Sequence, residues 1–309
     1  MKSPVLRCFG YIAIALLLTT ACNKRVNDAV ENAPEVQLPE YGTDRTLEIA
    51  SWNIEQFPLQ ADITVDKVAA IMLQLDIDLY GVQEINNVNH MQALVDSLNS
   101  ADPAANYQFR LNPAISGDLK TGIIYKGSQI TVLSETTLFN GDNDFAGRPP
   151  YVVRLQASNN GLSFDFSIIV LHLKAFGDQE SEDRRRRSIQ KLEDYIDTQL
   201  ANPDNDPDYI VLGDWNDVLT DPAGDNVFLP FLDNSAQYEF LTLPLTSDPN
   251  EFTYVAGFNS LIDHIMITTS IDAQYPTERA FILKLDEEVS RYIPDVSDHR
   301  PVAVSFPAF

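Results

Sequence analysis

Short apolar segments of this sequence repeatedly end at, or begin from, a side chain that can bind a metal ion or carry a proton. Asn53 and Glu84 each follow an apolar segment, and His172 lies at the end of a longer one. The same pattern recurs at Asp214, at Asp263, and at the neighbouring pair Asp298 and His299. Ligands of sheet proteins bind where strand ends converge. The pattern therefore favours a fold that gathers these separated strand ends into one cleft.

The spacing of apolar residues predicts helices and strands in alternation, followed by a region in which strands dominate. Helical spacing covers residues 65–75, 91–98 and 182–200. Strands are predicted at residues 46–53, 78–83, 107–111, 121–125, 130–138, 151–157, 162–171, 209–212, 262–268 and 302–306. This order predicts an α/β (α+β) chain folded as a four-layer α-β-β-α sandwich, in which two packed mixed sheets carry helices on their outer faces.

The first 21 residues have the features of a secretory signal peptide. Lys2 and Arg7 form a basic start, and residues 9–18 form an apolar segment too short to cross a bilayer. Small residues then lead directly to Cys22, an order that resembles the lipobox of bacterial lipoproteins. The alternative is an ordinary signal peptide followed by an unrelated cysteine. We predict a signal peptide over residues 1–21, lipidation of Cys22, a flexible tether over residues 22–45 and a single domain over residues 46–309.

These features place the protein in a bacterial cell envelope, attached to the membrane only through its lipid. No Asp follows Cys22, so we expect the outer membrane if the source is a diderm bacterium. The only cysteines are Cys8 and Cys22, which excludes a Cys nucleophile or disulfide from the domain. A net charge of -24 disfavours tight binding of nucleic acid but permits a local basic cleft. A monomer is expected.

The residue types at the strand ends suit the hydrolysis of a phosphoester. A hard cation such as Mg²⁺ prefers carboxylate and amide oxygens, which Asn53, Glu84 and Asp298 supply. Asp214 is suited to orient or deprotonate the attacking water. A protonated His can stabilise charge on the phosphoryl group, and Asp263 can hold such a His in one tautomer and raise its pKa.

Taken together, these motifs resemble the endonuclease/exonuclease/phosphatase superfamily, whose fold is similar to that of pancreatic deoxyribonuclease. The resemblance covers residues 47–306, with Trp215 in place of the Phe that is commoner in the family's Gly-Asp-Phe-Asn motif. The motifs that carry it are Trp52-Asn53, Gln83-Glu84, His172, Gly213-Asp214-Trp215-Asn216, Ile262-Asp263-His264-Ile265 and Ser297-Asp298-His299-Arg300-Pro301-Val302.

The resemblance implies a role for each matching residue. The metal site would comprise Asn53, Glu84 as the main ligand, and Asp298. The catalytic set would comprise His172 at the phosphate, Asp214 positioning the water, Asn216 at a phosphoryl oxygen, and Asp263 paired with His299. Arg148 matches a family position near the phosphate, and Lys174 is a further candidate for binding substrate. The expected cofactor is Mg²⁺ or Mn²⁺, with Ca²⁺ as an alternative.

Several points stay open at the level of sequence. Asp118 is the nearest candidate for an acidic partner of His172, while His264 should face the opposite side of its strand from Asp263. The run of four arginines over residues 184–187 is expected to pair with local acids, although one arginine could reach the cleft. Substrate choice is expected to depend on the loops at residues 140–148 and 246–259.

Three functions fit these observations. The first is a metal-dependent phosphodiesterase or nuclease acting outside the cytoplasm. The alternative is a phosphomonoesterase or phospholipid phosphodiesterase, so the partner is a phosphoester from a nucleic acid, nucleotide or phospholipid headgroup. A non-catalytic binding module is the third, and the intact set of acids, Asn and His opposes it, because a binder needs no such set.

Overall fold

The structure, a computed structural model, describes residues 38–276 and 280–309. Its strands are β1 (Leu47–Phe57), β2 (Leu79–Ile85), β3 (Tyr107–Leu111), β4 (Lys120–Lys126), β5 (Ile130–Thr137), β6 (Tyr151–Asn159), β7 (Leu162–His172), β8 (Tyr209–Asp214), β9 (Tyr238–Phe240), β10 (Asp263–Thr268), β11 (Phe281–Ile282) and β12 (Val302–Phe306). Its helices are α1 (Asp62–Leu75), α2 (Val88–Ala101), α3 (Gln179–Leu200), α4 (Leu229–Leu232), α5 (Thr269–Gln274), α6 (Leu285–Glu288) and α7 (Tyr292–Asp295). Two 3₁₀ turns cover Asn143–Phe145 and Leu243–Ser247.

The strands form two six-stranded mixed sheets. The first has the order β11-β12-β1-β2-β4-β3, and the second has the order β5-β6-β7-β8-β10-β9. Each sheet contains one parallel pair at its centre, β1 with β2 and β7 with β8, while the other neighbours are antiparallel. Parallel neighbours end at the same edge of a sheet, so each sheet brings two strand ends side by side.

Three hydrophobic clusters hold the layers together. In β1, Leu47 and Ile49 face the second sheet, whereas Trp52 and Ile54 face the other way, toward α1 and α2. This is the period-two alternation of a strand that is buried on both faces. On the far side of the second sheet, Ile189 and other apolar residues of α3 pack against β7, β8 and β10. The predicted four-layer sandwich is therefore confirmed.

Each helix and strand predicted from periodicity is present, and the differences lie at the ends and in short elements. β1 continues to Phe57 rather than ending near residue 53, and α1 begins at Asp62 rather than residue 65. The strands β9 and β11 and the helices α4 to α7 were not predicted. They span between 2 and 6 residues, too few to display a period, and they depend on contacts with the rest of the domain.

The segment from residue 38 to residue 45 lies against the domain. The backbone amide of Leu38 donates to the Oε1 atom of Gln74 at 2.8 Å, and the ring of Tyr41 stacks on Phe281 with 4.9 Å between centroids. These contacts lie within the C-terminal part of the segment predicted as a tether, residues 22–45, and that assignment stays a prediction. The predicted signal peptide, Cys22 and the rest of the tether lie outside the described residues. No helix within residues 38–276 and 280–309 is long and apolar enough to span a membrane.

Candidate active site

The two parallel strand pairs place four of the predicted residues at one edge of the sandwich. In the first sheet Asn53 lies opposite Gln83 in the register of β1 and β2, so Glu84 follows immediately beside it. In the second sheet His172 and Asp214 are direct register partners at the ends of β7 and β8. Since the sheets pack face to face, the four side chains meet between them.

Bulged backbone at the ends of β1 and β2 directs Glu84 into the site. Glu84 has a φ of +64°, and the register between β1 and β2 shifts beyond Asn53. A bulge of this kind turns a side chain away from the regular alternation of a strand. The backbone amide of Gln56 donates to the Oε2 atom of Glu84 at 3.0 Å, which fixes the carboxylate in place.

Gly213 is required where β8 approaches β7. Its φ is +149°, and a Cβ atom at this position would lie 2.0 Å from the carbonyl oxygen of Leu171. Beyond it, Asn216 adopts a left-handed φ of +55°, and its backbone amide donates to the Oδ1 atom of Asp214 at 2.9 Å. The Gly-Asp-Trp-Asn motif is therefore a turn that leaves the Oδ2 atom of Asp214 directed toward the other sheet.

Asp214 lies at the centre of the site. The Nδ2 atom of Asn53 donates to its Oδ2 atom at 3.1 Å and lies 3.3 Å from the Oε1 atom of Glu84. The Nε2 atom of His172 is 3.5 Å from Oδ2 of Asp214, and that of His299 is 3.9 Å from it. Two imidazoles, two carboxylates and an amide thus surround a space of a few ångströms.

His299 is held by Asp263 through its ring and by Ser297 through its backbone amide. Its Nδ1 atom lies 2.8 Å from Oδ2 of Asp263, which begins the strand next to β8. The Ser297 hydroxyl donates to the carbonyl oxygen of Asn53 at 2.7 Å and accepts from the amide of His299 at 2.9 Å. This contact ties the segment before β12 to the end of β1. Ser297 belongs to the motif that carries the resemblance, yet nothing in the sequence assigned it this role.

The charges around His299 raise its pKa to about 10. Burial alone lowers the pKa, but the charge and hydrogen bond of Asp263, with the charges of Asp214 and Asp298, outweigh it. The imidazole is therefore positively charged near neutral pH, with Nε2 available to donate toward the space beside Asp214.

His172 has the opposite character. Burial, followed by the charges of Arg148 and His299, lowers its pKa well below the usual range, so the ring is neutral. Its Nδ1 atom has no hydrogen-bond partner in the described part of the chain, and no contact joins it to Asp118. The suggested Asp118 partner is thus not present, and the nearest carboxylates to His172 are Asp214 and Glu84, on the Nε2 side.

The carboxylates of the site raise each other's pKa. The pKa of Asp214 rises to about 7, first through burial and then through the charge of Asp263. Glu55 also rises to about 7, through burial and then Asp298, whose own pKa is raised mainly by burial. The Oε2 atom of Glu55 accepts a hydrogen bond from the backbone amide of Asp298 at 3.0 Å, a contact that the sequence analysis did not predict. A signal was available, since Glu55 follows Asn53 by two residues.

This donor set fits a divalent cation. The carboxylates of Glu84, Asp214, Asp263 and Asp298 supply oxygen ligands, and the buried Oδ1 atom of Asp263 has no hydrogen-bond partner in residues 38–276 and 280–309. Ligand atoms of Asp214, Asp263 and His299 lie within 4.8 Å of one another. Carboxylates that lie close together, as these do, are stabilised by a bound cation. Asn53 turns its amide nitrogen toward the acids, and its role as a metal ligand stays a prediction.

The predicted substrate-binding residues line a cleft of about 730 Å³ that opens beside His172 and Glu84. Arg148 donates from Nε to the carbonyl oxygen of His172 at 3.0 Å and from Nη2 to that of Leu173 at 2.7 Å. Lys174 also lines this cleft, and its Nζ atom lies 4.2 Å from the centroid of the Phe176 ring. The structure therefore brings both cations to the site, on the side of His172.

His264 faces away from the site, as the alternation of its strand predicts. Its Nε2 atom lies 3.0 Å from the carbonyl oxygen of Asp217, and its Nδ1 atom lies 3.0 Å from the hydroxyl of Thr242. A carbonyl oxygen only accepts, so Nε2 carries the proton and Nδ1 accepts from the hydroxyl. The ring is completely buried and packs edge-on against Phe228 and Phe240. His264 therefore packs behind the site and does not line it.

Protonation of His264 is expected to destabilise the domain at mildly acidic pH. Burial lowers the pKa of His264 from 6.5 to about 4, so the unfolded chain binds its proton more readily. The stability that this histidine contributes is present above pH 6.5 and is lost as the pH falls toward 4. The loss is on the order of 3 kcal/mol in the free energy of unfolding. Urea unfolding of the wild type and His264→Gln over this pH range measures it, and parallel pH dependences of the two proteins would contradict the assignment.

The chain belongs to the endonuclease/exonuclease/phosphatase family, because the family model with that description matches residues 50–299. The sequence motifs that carry the resemblance converge at one edge of the sandwich, where the candidate active site lies. Among curated proteins, none matches the sequence.

Solved structures with the same fold come from diverse proteins. The catalytic domain of human Nocturnin with a bound sulfate anion is 18% identical, with a TM-score of 0.61 over 85% of this chain and 94% of that chain. A mannosyl-6-phosphatase from Bacteroides thetaiotaomicron is 17% identical, with a TM-score of 0.60 over 84% and 99%. TDP2 from D. rerio, complexed with single-strand DNA product, is 16% identical, with a TM-score of 0.59 over 84% and 98%. At these identities the similarity concerns the fold.

Proposed function

We propose that this chain is a metal-dependent phosphoric ester hydrolase that acts on a phosphodiester outside the cytoplasm. The observation that carries the proposal is the pairing of His299, held positively charged by Asp263, with Asp214 only 3.9 Å from its Nε2 atom. A cationic donor and a carboxylate on either side of one small space are what attack of water on a phosphoryl group requires.

The side chains have distinct tasks in this reaction. Asp214 accepts a hydrogen bond from the attacking water and takes its proton, while His299 donates from Nε2 to a phosphoryl oxygen as negative charge develops there. Asn53 keeps the carboxylate of Asp214 in position through the 3.1 Å hydrogen bond. Asn216 and neutral His172 bind the remaining phosphoryl oxygens, and Arg148 supplies positive charge beside them.

Glu84 and Asp298 would hold the divalent cation in this proposal. When bound, Mg²⁺ or Mn²⁺ would act as a Lewis acid that polarises the phosphoryl group. Glu55 keeps the segment of Asp298 in place through its hydrogen bond to the Asp298 amide.

Hydrolysis of bis-(p-nitrophenyl) phosphate by the purified mature protein is expected to require Mg²⁺ or Mn²⁺. Removal of the cation leaves the acids of the site uncompensated, so excess EDTA should abolish release of p-nitrophenol and added Mg²⁺ should restore it. p-Nitrophenyl phosphate, assayed alongside, distinguishes a diesterase from a monoesterase. Undiminished activity in excess EDTA would contradict the metal-dependent mechanism, and no turnover of any phosphoester in Mg²⁺ or Mn²⁺ would contradict the proposed function.

We also propose that the protein is a lipoprotein of the bacterial cell envelope, anchored through Cys22. The order of basic residues, a short apolar segment and small residues before Cys22 supports this part of the proposal. Mass spectrometry of the N-terminal peptide from a membrane fraction decides it. A peptide that begins at Cys22 with acyl chains is expected, and an unmodified N-terminus in a soluble fraction would rule it out.

A further inference from the structure

Three cations converge on the cleft beside His172 in a protein that carries far more acidic than basic residues. Arg148 and Lys174 line this cleft, and Arg184, from the second turn of α3, completes the group of three cations. Burial and the neighbouring charges of Arg148 and Arg184 lower the pKa of Lys174. The positive charges of Arg148 and Arg184 therefore disfavour the charge of Lys174.

The four consecutive arginines of α3 differ in the residues with which they form ion pairs. Arg185 is buried and contacts Asp217 at 2.7 Å, Arg186 contacts Glu182 at 2.7 Å, and Arg187 contacts Asp144 at 2.8 Å. Arg184 alone among them forms no ion pair with the described residues. Three of the four arginines thus pair with acids as expected, and Arg184 is the one that reaches the cleft, an alternative that the sequence left open.

The acidic residues of the loop between β5 and β6 form ion pairs with basic residues of α3 outside the cleft. Asp142 and Asp144 both contact Lys191, at 2.5 and 2.7 Å, and Asp144 also contacts Arg187. On the cleft side the loop offers Arg184 only the carbonyl oxygen of Asn143. The loop is therefore held to α3 by its acidic residues and contributes no carboxylate to the lining of the cleft.

Arg184 also has unused hydrogen-bonding capacity. Its Nε atom is buried and has no partner in the described part of the chain. Two carboxylates, Glu84 and Asp118, line the same cleft, and neither forms an ion pair with Arg148, Lys174 or Arg184. A guanidinium that lines a cleft and forms no ion pair is suited to bind a phosphate oxygen.

We propose that this cleft is a second anion subsite, so that the preferred substrate is a phosphoester that carries a further phosphate group beside the one that is hydrolysed. Arg184 is the residue that selects it, with Lys174 supplying a second charge. The inference rests on the proposed function, since it places the reacting phosphoryl group between Asp214 and His299 and the second phosphate beyond His172.

The test compares two pairs of probes that differ by one phosphate. The first pair is the p-nitrophenyl ester of thymidine 5′-phosphate and the same ester carrying a 3′-phosphate, assayed with Mg²⁺. The second pair is thymidine 5′-monophosphate and thymidine 3′,5′-bisphosphate, whose binding is measured by calorimetry in EDTA. The binding arm needs neither turnover nor metal.

The wild type should prefer the member with the additional phosphate in both arms. Arg184→Gln should reduce that preference roughly 10-fold, as expected for the loss of one charge-assisted hydrogen bond, and Arg184→Lys should restore part of it. The matched control is Arg110→Gln, which makes the same change at an exposed arginine of β3 outside the cleft and should leave the preference intact.

Each outcome either supports or overturns the proposed anion subsite. Equal or undetectable binding of the two nucleotides by the wild type overturns the anion subsite, as does a preference that Arg184→Gln leaves unchanged. Absence of turnover for both esters, together with a binding preference that depends on Arg184, contradicts the proposed function and supports the subsite.

Discussion

His299→Ala is expected to lower kcat for bis-(p-nitrophenyl) phosphate by at least ~100-fold, the usual cost of removing a donor that stabilises charge in the transition state. The imidazole is fixed by Asp263 at 2.8 Å, and its Nε2 atom lies 3.9 Å from Oδ2 of Asp214. Its loss should affect kcat more than KM, because the hydrogen bond strengthens as charge develops on the phosphoryl oxygen.

The matched control is His90→Ala. His90 lies in α2, away from the cleft, and is 3.8 Å from a carboxylate oxygen of the exposed Asp62. Its replacement should leave turnover unchanged, while circular dichroism verifies that both variants are folded. Near-normal kcat in folded His299→Ala would show that the charged imidazole has no part in the chemistry.

Asp214→Asn should cause a loss of similar size, at least ~100-fold, because an amide cannot accept the proton of the attacking water. The substitution retains the size of the side chain, and an amide oxygen can still accept from the backbone of Asn216, so the turn after β8 should persist. Initial rates with saturating Mg²⁺ measure the effect. A substrate with a more reactive leaving group is not expected to restore the turnover of Asp214→Asn to the wild-type level.

Asp208→Asn provides the control for this variant. Asp208 is equally buried, and it lies directly before the opposite end of the same strand. If Asp208→Asn impairs turnover as much as Asp214→Asn, the losses reflect a disturbed strand rather than a missing base. Activity in Asp214→Asn comparable to that of Asp208→Asn would remove Asp214 from the mechanism.

Local patterns in the sequence were enough to identify the layers of the fold. The alternation around Leu47 and Trp52 defines a strand that is buried on both faces, and the spacing around Ile189 defines the inner face of α3. The same patterns could not identify β9 or α7, whose few residues carry no period. The packing of Tyr41 on Phe281 was not predicted either, because the two residues are distant in sequence.

The residue types at the strand ends were visible in the sequence, but their partners were not. Hydrogen bonds such as Ser297 to Asn53 join residues that are 244 positions apart. The neutral state of His172 and the charged state of His299 depend on burial and on which carboxylate lies nearest, and neither quantity has a local signature. The arginine run illustrates the same limit, because only the helix direction and the position of the loop after β5 decide that Arg184 faces the cleft.

The sequence by itself determined that apolar strands end at Asn53, Glu84, His172 and Asp214, and that others follow Asp263 and the Asp298-His299 pair. It therefore predicted a fold that brings these residues to one edge. This was possible because strand periodicity and residue chemistry are local properties. Only the tertiary structure decided which imidazole is charged, which carboxylates crowd together and which cations lack partners. Those properties arise from contacts between distant segments and from the exclusion of water between the two sheets.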